Sequence, residues 1–471
     1  MEKKPLSSAI KNLYGVADLG FGLMSAMESY FFVFFLSNIA EFSTAWVMAI
    51  GSATAIGDAI LSPVYGGIIA AAPPLKWGRN RSWMVLMPPL VAMTYIFQFS
   101  KVSSNDFVSA VVIVAGFVVS HIFWNMGWVA NLNLIPALAT NPQERGLLSS
   151  RRAMYSSVAQ MSFSYIGAPL IAFYTARLGG PFVGYPAAAG TLACFMIIGY
   201  YIIVAITKGY EPTGAEEKAA RAAAPASAVA AEKVSLGVLL QSIFQNPHLI
   251  WLLIGDFFRY ISGFVYSAAI AYYFTYIAKN MSLMPLYVLI SSIGSFAGAT
   301  MAGQLAKKFP LRNLAIFGLL VSGGIMVLGK LTGLALPMIF ICGIGSRIFV
   351  SSLGAWIVPL YSEAAIYSEW KTGRNAMAFI MGIMTTSLKV AVIARGTVIP
   401  IVLASVGFVA GLPADQATLE IQQGILTVLM LIPGLVMLIA CVFIGFGFRL
   451  NNQKLEQYQK EINERKAAAA T

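Results

Sequence analysis

Charge is scarce in this chain. Only 11% of its 471 residues are Asp, Glu, Lys or Arg, against roughly 25% in a soluble globular protein. Hydrophobic residues make up 58%, and the mean hydropathy is +0.76. That excludes an ordinary soluble domain and reads as an all-α membrane protein whose helices face lipid as well as each other. A span uses roughly 20 apolar residues, so the chain holds about twelve. Cysteine is nearly absent: Cys194, Cys342 and Cys441 all fall in apolar runs, which excludes a disulfide framework and reads as packing. Histidine is rarer still, with only His121 and His248. There is no His-Glu-x-x-His, no Gly-x-Ser-x-Gly, no Walker loop and no cysteine pair at metal spacing, so a membrane enzyme is not expected, nor a metal or a cofactor. The start, "MEKKPLSSAIKNLYG", lacks a cleavage pattern, and the first span is expected to be retained.

The charge that is present is unevenly placed. Net charge is +12, but the bases cluster in alternate loops and at the termini. Lys3, Lys4 and Lys11 precede the first span. Lys76, Arg79 and Arg81, then Arg145, Arg151 and Arg152, follow later ones, and Lys307, Lys308 and Arg312, Lys371 and Arg374 continue the pattern. The opposite side holds only Lys101, Arg177, Lys279 and Lys330. This is the positive-inside distribution and predicts both termini in the cytoplasm. With no contiguous soluble basic face, nucleic acid is not an expected partner. The lipid bilayer and a small-molecule substrate are, with the chain a monomer in a bacterial cytoplasmic membrane.

Apolar runs predict spans near 13–37, 44–72, 83–100, 107–136, 153–176 and 183–206. A second set lies near 249–278, 284–306, 314–335, 337–362, 376–410 and 422–448. The expected organisation is a six-helix bundle over 1–206, a linker over 207–247 that is rich in Ala and both charge signs, a second bundle over 248–448, and a solvated helical tail over 449–471. The ends of spans one and seven, "SYFFVFFLSNI" and "IAYYFTYIAK", echo each other, as do the basic loops "PLKWGRNRSW" and "KKFPLRN", so the halves read as a duplication.

Ionisable residues inside the spans carry the most information. They are Asp18, Glu28, Asp58, Asp256 and Glu363, against Arg259, Arg347, Lys389 and Arg395. Exposed to lipid they would cost on the order of 20–30 kcal/mol together. They must face one another or a water-filled cavity. Asp256 and Arg259 sit three residues apart and read as a structural charge pair. Asp58, in "GSATAIGDAILSPVYGG", has no partner on its own helix. Span four carries "HIFWNMGWVANLNLIP", with Trp124, Asn125 and Trp128. Aromatic faces stack on sugar rings and amides bond hydroxyls, so this run fits a carbohydrate site; it equally fits an interfacial aromatic belt.

Four ordered stretches resemble the glycoside–pentoside–hexuronide:cation symporters, the melibiose permease branch of the major facilitator superfamily. They are "YGVADLG" (14–20), "GDAILSPVYGG" with "KWGRNRSW", "ERGLLSSRR" (144–152) and "YSEWKTGRNAMA" (367–378). The resemblance implies twelve transmembrane helices in two six-helix bundles. It implies a secondary transporter that carries a sugar, glycoside or hexuronide with a cation, either a proton or sodium. It places Asp58 in the cation site. Arg152 and Lys389 fall in the substrate network, and Tyr14 and Asp18 along the sugar path. Several positions depart from the family pattern. Ser62 stands where a second cation-site acid is usual, Ala55 where Arg is usual, and Gly22, Trp128 and Leu132 at positions of the melibiose clamp. Melibiose is therefore not the expected substrate. With one acid fewer, only the hydroxyls of Ser62 and Thr54 remain to help Asp58 hold sodium, and a proton becomes the preferred coupling ion.

If Arg152, Lys389 and Arg395 all reach the cavity, an anionic glycoside fits; if each is already neutralised by an acid, it does not. Arg79, Arg81, Glu144, Arg145, Glu369, Lys371 and Arg374 lie where the bundle ends meet and read as a gating layer. The rival readings are an uncoupled facilitator and, further off, a transporter-like sensor.

Overall fold

The computed structural model describes residues 4–71, 75–139, 142–216, 244–306, 308–332, 335–373 and 377–470, and every regular element among them is helical. The first half comprises a short α1 (Ser8–Leu13), then α2 (Val16–Phe34), α3 (Thr44–Ala71), α4 (Arg79–Tyr95), α5 (Asp106–Leu138), α6 (Pro142–Arg177) and α7 (Pro181–Ile206). The second comprises α8 (Pro247–Tyr272), α9 (Leu283–Ala306), α10 (Leu311–Leu331), α11 (Leu336–Thr372) and α12 (Met377–Ser405). It closes with α13 (Leu419–Leu426), α14 (Ile432–Gly447) and α15 (Asn452–Ala470). Nine helical segments among the described residues are long and apolar enough to cross a bilayer. With α3, α6 and α12, of 28, 36 and 29 residues, the described chain has twelve spans, α13 and α14 forming one. Large apolar side chains such as Met93, Phe107, Ile198, Phe296 and Phe446 stand exposed on these helices. That is where lipid belongs, since apolar surface costs nothing against acyl chains.

The chain divides into two compact units. The first is Met1–Ala230 with Asn280–Leu289 and Val409–Leu412, and the second is Ala231–Lys279 with Ile290–Phe408 and Pro413–Thr471. In the first unit α2 is the central helix, flanked by α6 and α7, with α5 packed on α3 and α4. Glycines let α2 and α7 approach: a Cβ on Gly199 would stand 2.6 Å from the Val16 carbonyl oxygen, and one on Gly20 would strike the Met196 backbone. In the second unit α10 packs on α11 and α14, and α8 on α12 and α14. Trp356 Nε1 donates to the Ala302 carbonyl at 3.1 Å and Ser352 Oγ to the Gly298 carbonyl at 2.8 Å, so two positions one turn apart on α11 grip two positions one turn apart on α9.

Three expectations change. "ERGLLSSRR" and "YSEWKT" are helical, not loops. Pro142 opens α6 and Gly373, in the left-handed region at φ 70°, closes α11, so both helices run well past the apolar stretch. The tail helix α15 is not simply solvated. It packs on α11 through Tyr458 against Trp370 (centroids 4.3 Å apart) and buries Ile462, one turn further on. Trp370 Nε1 also donates to Glu461 Oε2 at 2.5 Å, and Arg465 Nη1 to the Trp370 carbonyl at 2.7 Å. Of the cysteines, Cys342 is buried in packing but Cys194 is exposed on α7.

The duplication is written into the first helix of each half at one offset. Residues 18, 37, 40 and 41 are Asp, Ser, Ala and Glu; residues 256, 275, 278 and 279 are Asp, Thr, Ala and Lys. Both helices end in a five-residue π turn, Phe35–Ile39 and Tyr273–Ile277, with Ala40 N donating to the Phe35 carbonyl and Ala278 N to the Tyr273 carbonyl. Ser37 Oγ and Thr275 Oγ1 each donate to the carbonyl four residues back. Both chains then turn through a non-glycine residue of positive φ, Glu41 at 53° and Lys279 at 49°. Two independent helices would not share a π turn, a back-bonded hydroxyl and a strained corner at one spacing.

Candidate functional site

The polar residues of the first unit lie on helix faces that their spacing defines. Asp18, Phe21 and Glu28 share one face of α2, and His121, Trp124, Asn125 and Trp128 recur at three- and four-residue steps on one face of α5. Trp124 is buried, in edge contact with Phe21 (4.7 Å) and tilted against His121 (5.0 Å). It is therefore a packed interior residue and not part of an interfacial belt. Phe21 also lies 6.3 Å from Trp128.

Three polar groupings line these faces. At one end, Tyr14 donates its hydroxyl proton to the Asn131 carbonyl at 2.7 Å. Beside it Arg152, on α6, makes a bidentate pair with Asp18: Nε to Oδ2 at 2.8 Å and Nη2 to Oδ1 at 2.7 Å. Both side chains are buried, and the guanidinium also lies 5.5 Å from the Trp128 ring centroid. This fork-to-fork geometry engages both carboxylate oxygens. Asp18 and Arg152, read separately from the sequence, are one unit. The second grouping is Asp58 on α3, buried, whose Oδ1 accepts from Asn125 Nδ2 at 3.2 Å; the same amide donates to the His121 carbonyl at 2.8 Å. Thr54, one turn earlier, turns its hydroxyl onto the Ile50 and Gly51 carbonyls of its own helix. The third grouping was not anticipated. His121 Nε2 stands 3.0 Å from Glu28 Oε2, and its Nδ1 is 2.9 Å from the Phe117 carbonyl, under a stacked Phe117 ring at 3.9 Å. The available signal was the helical spacing that places His121 on the Asn125–Trp128 face.

Two buried groups nearby have hydrogen-bonding capacity unspent. The Trp124 indole N–H and the side-chain amide of Asn131 make no hydrogen bond among the described residues. Buried polar groups with free hydrogen-bonding capacity on a helix face that carries Trp124 and Trp128 fit the hydroxyls and ring of a sugar.

In the second unit Arg259 Nε meets Asp256 Oδ1 at 2.6 Å, and Tyr361 donates its hydroxyl to Asp256 Oδ2 at 3.1 Å. Asp256 occupies in α8 the place of Asp18 in α2, so each half carries an arginine-clamped aspartate in its first helix. The side chains of Ser62, Lys389, Arg395, Arg145 and Arg374 lie outside the described residues.

The remaining members of the expected gating layer fall at helix ends. Arg79 opens α4, Glu144 lies in the first turn of α6, and Glu369 and Lys371 in the last of α11. Arg81 is committed within its own unit: its guanidinium donates to the Trp77 and Val204 carbonyls at 3.1 and 2.8 Å. Lys371 donates to the Gln245 carbonyl at 2.8 Å. Glu211, unremarked in the sequence, accepts from Asn80 N and Nδ2 and from Arg81 N, and so caps α4. A cavity of about 1270 Å³ opens beside this cap, lined by Lys4, Lys76, Trp77 and Lys208 among others. It includes none of the residues of the three polar groupings.

Comparison with known proteins places this arrangement. A family model described as MFS/sugar transport protein matches residues 13–452. The chain is 25% identical over 480 residues to an uncharacterized symporter, YjmB, of Bacillus subtilis (strain 168), covering 98% of this chain and 97% of that one. It is 20% identical over 399 residues to an isoprimeverose transporter of Lactiplantibacillus pentosus, covering 84% and 80%. The solved structure of a D-xylose–proton symporter superimposes with a TM-score of 0.64 at 15% identity, over 93% of this chain and 97% of that one.

Proposed function

This chain is a member of the MFS/sugar transport protein family, a multi-pass bacterial membrane transporter with the major facilitator fold and not an enzyme, and on that premise we propose that it carries a neutral sugar or glycoside together with a cation, by alternating access. The observation that carries the substrate class is the α5 face. Trp124, Trp128 and Phe21 supply aromatic surface there, with the unspent Trp124 N–H and Asn131 amide beside it. The names of the relatives support a sugar but not its charge: an isoprimeverose transporter stands beside sulfoquinovose importers and a glucuronide carrier. Arg152 argues against an anionic ligand: its fork is filled by Asp18, and a uronide would have to displace that carboxylate.

Asp58 is the coupling acid in this reading. A proton suits it better than sodium. Sodium needs several oxygen ligands, while Asn125 turns its N–H donor and not its oxygen to Asp58, and Thr54, one turn earlier, offers a single neutral oxygen. The bundles over 1–206 and 248–448 act as the two moving halves of a monomer, with the linker, the tail and both termini cytoplasmic.

The test is purified protein in proteoliposomes, offered labelled neutral glycosides and glucuronides. Counterflow of a neutral glycoside, accumulation driven by an imposed pH gradient, and loss of that accumulation by at least tenfold in Asp58→Asn are expected. Counterflow with no response to either a pH or a sodium gradient makes the protein an uncoupled facilitator. Selective uptake of glucuronides would overturn the neutral-substrate reading.

A further inference from the structure

The cavity beside the α4 cap lies within the first unit, and its lining changes character along its length. Leading into α4 it steps from Trp77 through Arg81 to Val85, and back along α7 from Lys208 through Ala205 to Tyr201, three or four residues at a time. Both helices therefore present a basic end where the chain leaves the bundle and an apolar end about 10 Å deeper along the spans. At the deep end Tyr201 donates its hydroxyl to the Val85 carbonyl at 3.4 Å. Leu86, next in the chain to Val85, and Ile198, one turn from Tyr201, stand exposed on the lipid-facing surface.

Three segments meet at the shallow end: the chain before α1, the turn before α4 and the stretch after α7. Tyr210 ties the first to the third, its hydroxyl accepting from Ser7 N at 3.2 Å and donating to the Pro5 carbonyl at 2.9 Å. Lys4 Nζ lies over Gly209, 3.5 Å from where a Cβ would stand. Lys76 Nζ lies 5.9 Å from the Trp77 ring centroid. Neither these two lysines nor Lys208 makes an ion pair or a side-chain hydrogen bond among the described residues. Arg81 adds a buried charge to the wall, its guanidinium fixed on the Trp77 and Val204 carbonyls and its Nε unspent. The two acids of the lining are engaged elsewhere: Glu211 caps α4, and Glu216 Oε2 accepts from Thr213 N at 2.8 Å. Four bases against two acids leave the lining with a net positive charge.

The geometry points to a binding site for an anionic glycerophospholipid. Lys4, Lys76 and Lys208 take the phosphate headgroup, and the acyl chains run past Ala205, along Val85 and Tyr201, to the lipid-facing surface. A soluble phosphate shares the charge but has nothing to place against the apolar end, whereas a lipid fills both ends. A zwitterionic headgroup brings its own cation against the lysines, and a net anionic one does not. Trp77, partly exposed between the two ends, is the residue type that sits at a water–hydrocarbon boundary. A lipid bound here bridges the three segments and so stabilises the first unit. The site rests on the chain being embedded in a membrane and is independent of the sugar it carries.

The test is native mass spectrometry of the full chain in detergent, titrated with dioleoyl phosphatidylglycerol, dioleoyl phosphatidylcholine or inorganic phosphate. The wild type is expected to hold phosphatidylglycerol at least tenfold more tightly than phosphatidylcholine. Lys4→Gln with Lys76→Gln and Lys208→Gln should abolish that preference. Lys308→Gln with Lys454→Gln and Lys460→Gln, which removes the same charge from the second unit, should keep it. Ala205→Trp leaves every lysine in place and fills the apolar end, and it should weaken phosphatidylglycerol at least tenfold as well. Thermal unfolding of each variant without lipid checks that it is folded, and added phosphatidylglycerol should raise the transition of the wild type but not of the first triple variant. Equal affinity for the two lipids, or an equal loss in the two triple variants, overturns the site. Displacement of phosphatidylglycerol by millimolar inorganic phosphate, or wild-type binding in Ala205→Trp, overturns the lipid as its occupant.

Discussion

Replacing Asp18 by Asn removes one charge from a buried bidentate pair and strands the other. Two charge-assisted bonds at 2.8 and 2.7 Å are lost or weakened, each worth about 1.5–3 kcal/mol, and the Arg152 guanidinium stays buried without its counter-ion. Both lines of estimate place the cost at about 3–5 kcal/mol for Asp18→Asn, and the same for Arg152→Gln. Removing both charges together is different. Asp18→Leu with Arg152→Met leaves no orphaned ion, and the double variant is expected within about 1 kcal/mol of wild type or above it. The cycle therefore closes with a coupling energy of several kcal/mol. The measurement is thermal unfolding in detergent, followed by intrinsic fluorescence, with counterflow run beside it. Single variants should lose roughly 5–10 °C, at a few degrees per kcal/mol, and the double variant should recover them. If it recovers transport as well, the pair is a clasp; if it recovers stability alone, the pair also serves the sugar. Single variants within about 0.5 kcal/mol of wild type would refute the reasoning, because they would mean that water reaches the pair and screens it.

Two further outcomes follow from other regions. Glu461 is held below the ordinary carboxylate range, first by the Trp370 Nε1 hydrogen bond and then by Gln457. Its contribution to docking α15 is therefore present above pH 4.5 and is lost as the pH falls through its lowered value. Limited proteolysis after Leu450 should accelerate in Glu461→Gln at pH 7 and in the wild type below pH 4.5; equal rates for Glu461→Gln and wild type at pH 7 would show that the contact does not hold the tail. At the corners, Glu41→Gly and Lys279→Gly relieve a positive φ, and each should raise stability by up to about 1 kcal/mol. Losses at both sites would mean that those side chains hold the corners in place.

The spans were legible because apolar runs report burial in lipid directly. Their ends were not, since α6 and α11 continue as helices beyond the bilayer-length stretch, where hydropathy falls but capping by Pro142 and Gly373 still decides. Individual site residues were legible as misplaced charges. Their pairing was not: Asp18 and Arg152 stand 134 positions apart, on helices that only the fold brings together. Asp256 and Arg259, three apart on one helix, were readable for the opposite reason. His121 went unread because a lone histidine in an apolar run carries no signal until its neighbour across the interface is known. The offset that aligns Asp18 with Asp256 was available but was masked by divergence of the residues between.

A π turn is one residue more than a helix needs. At Phe35–Ile39 and at Tyr273–Ile277 the chain stores that surplus inside a membrane span, where elsewhere a one-residue deletion would swing every later side chain by about 100°. Excising Asn38 or Tyr276 would only tighten the wide turn into an ordinary one. At these two matching places the scaffold can shed a residue and still aim Asp18 and Asp256 as before, and the second copy makes each excision its own internal control.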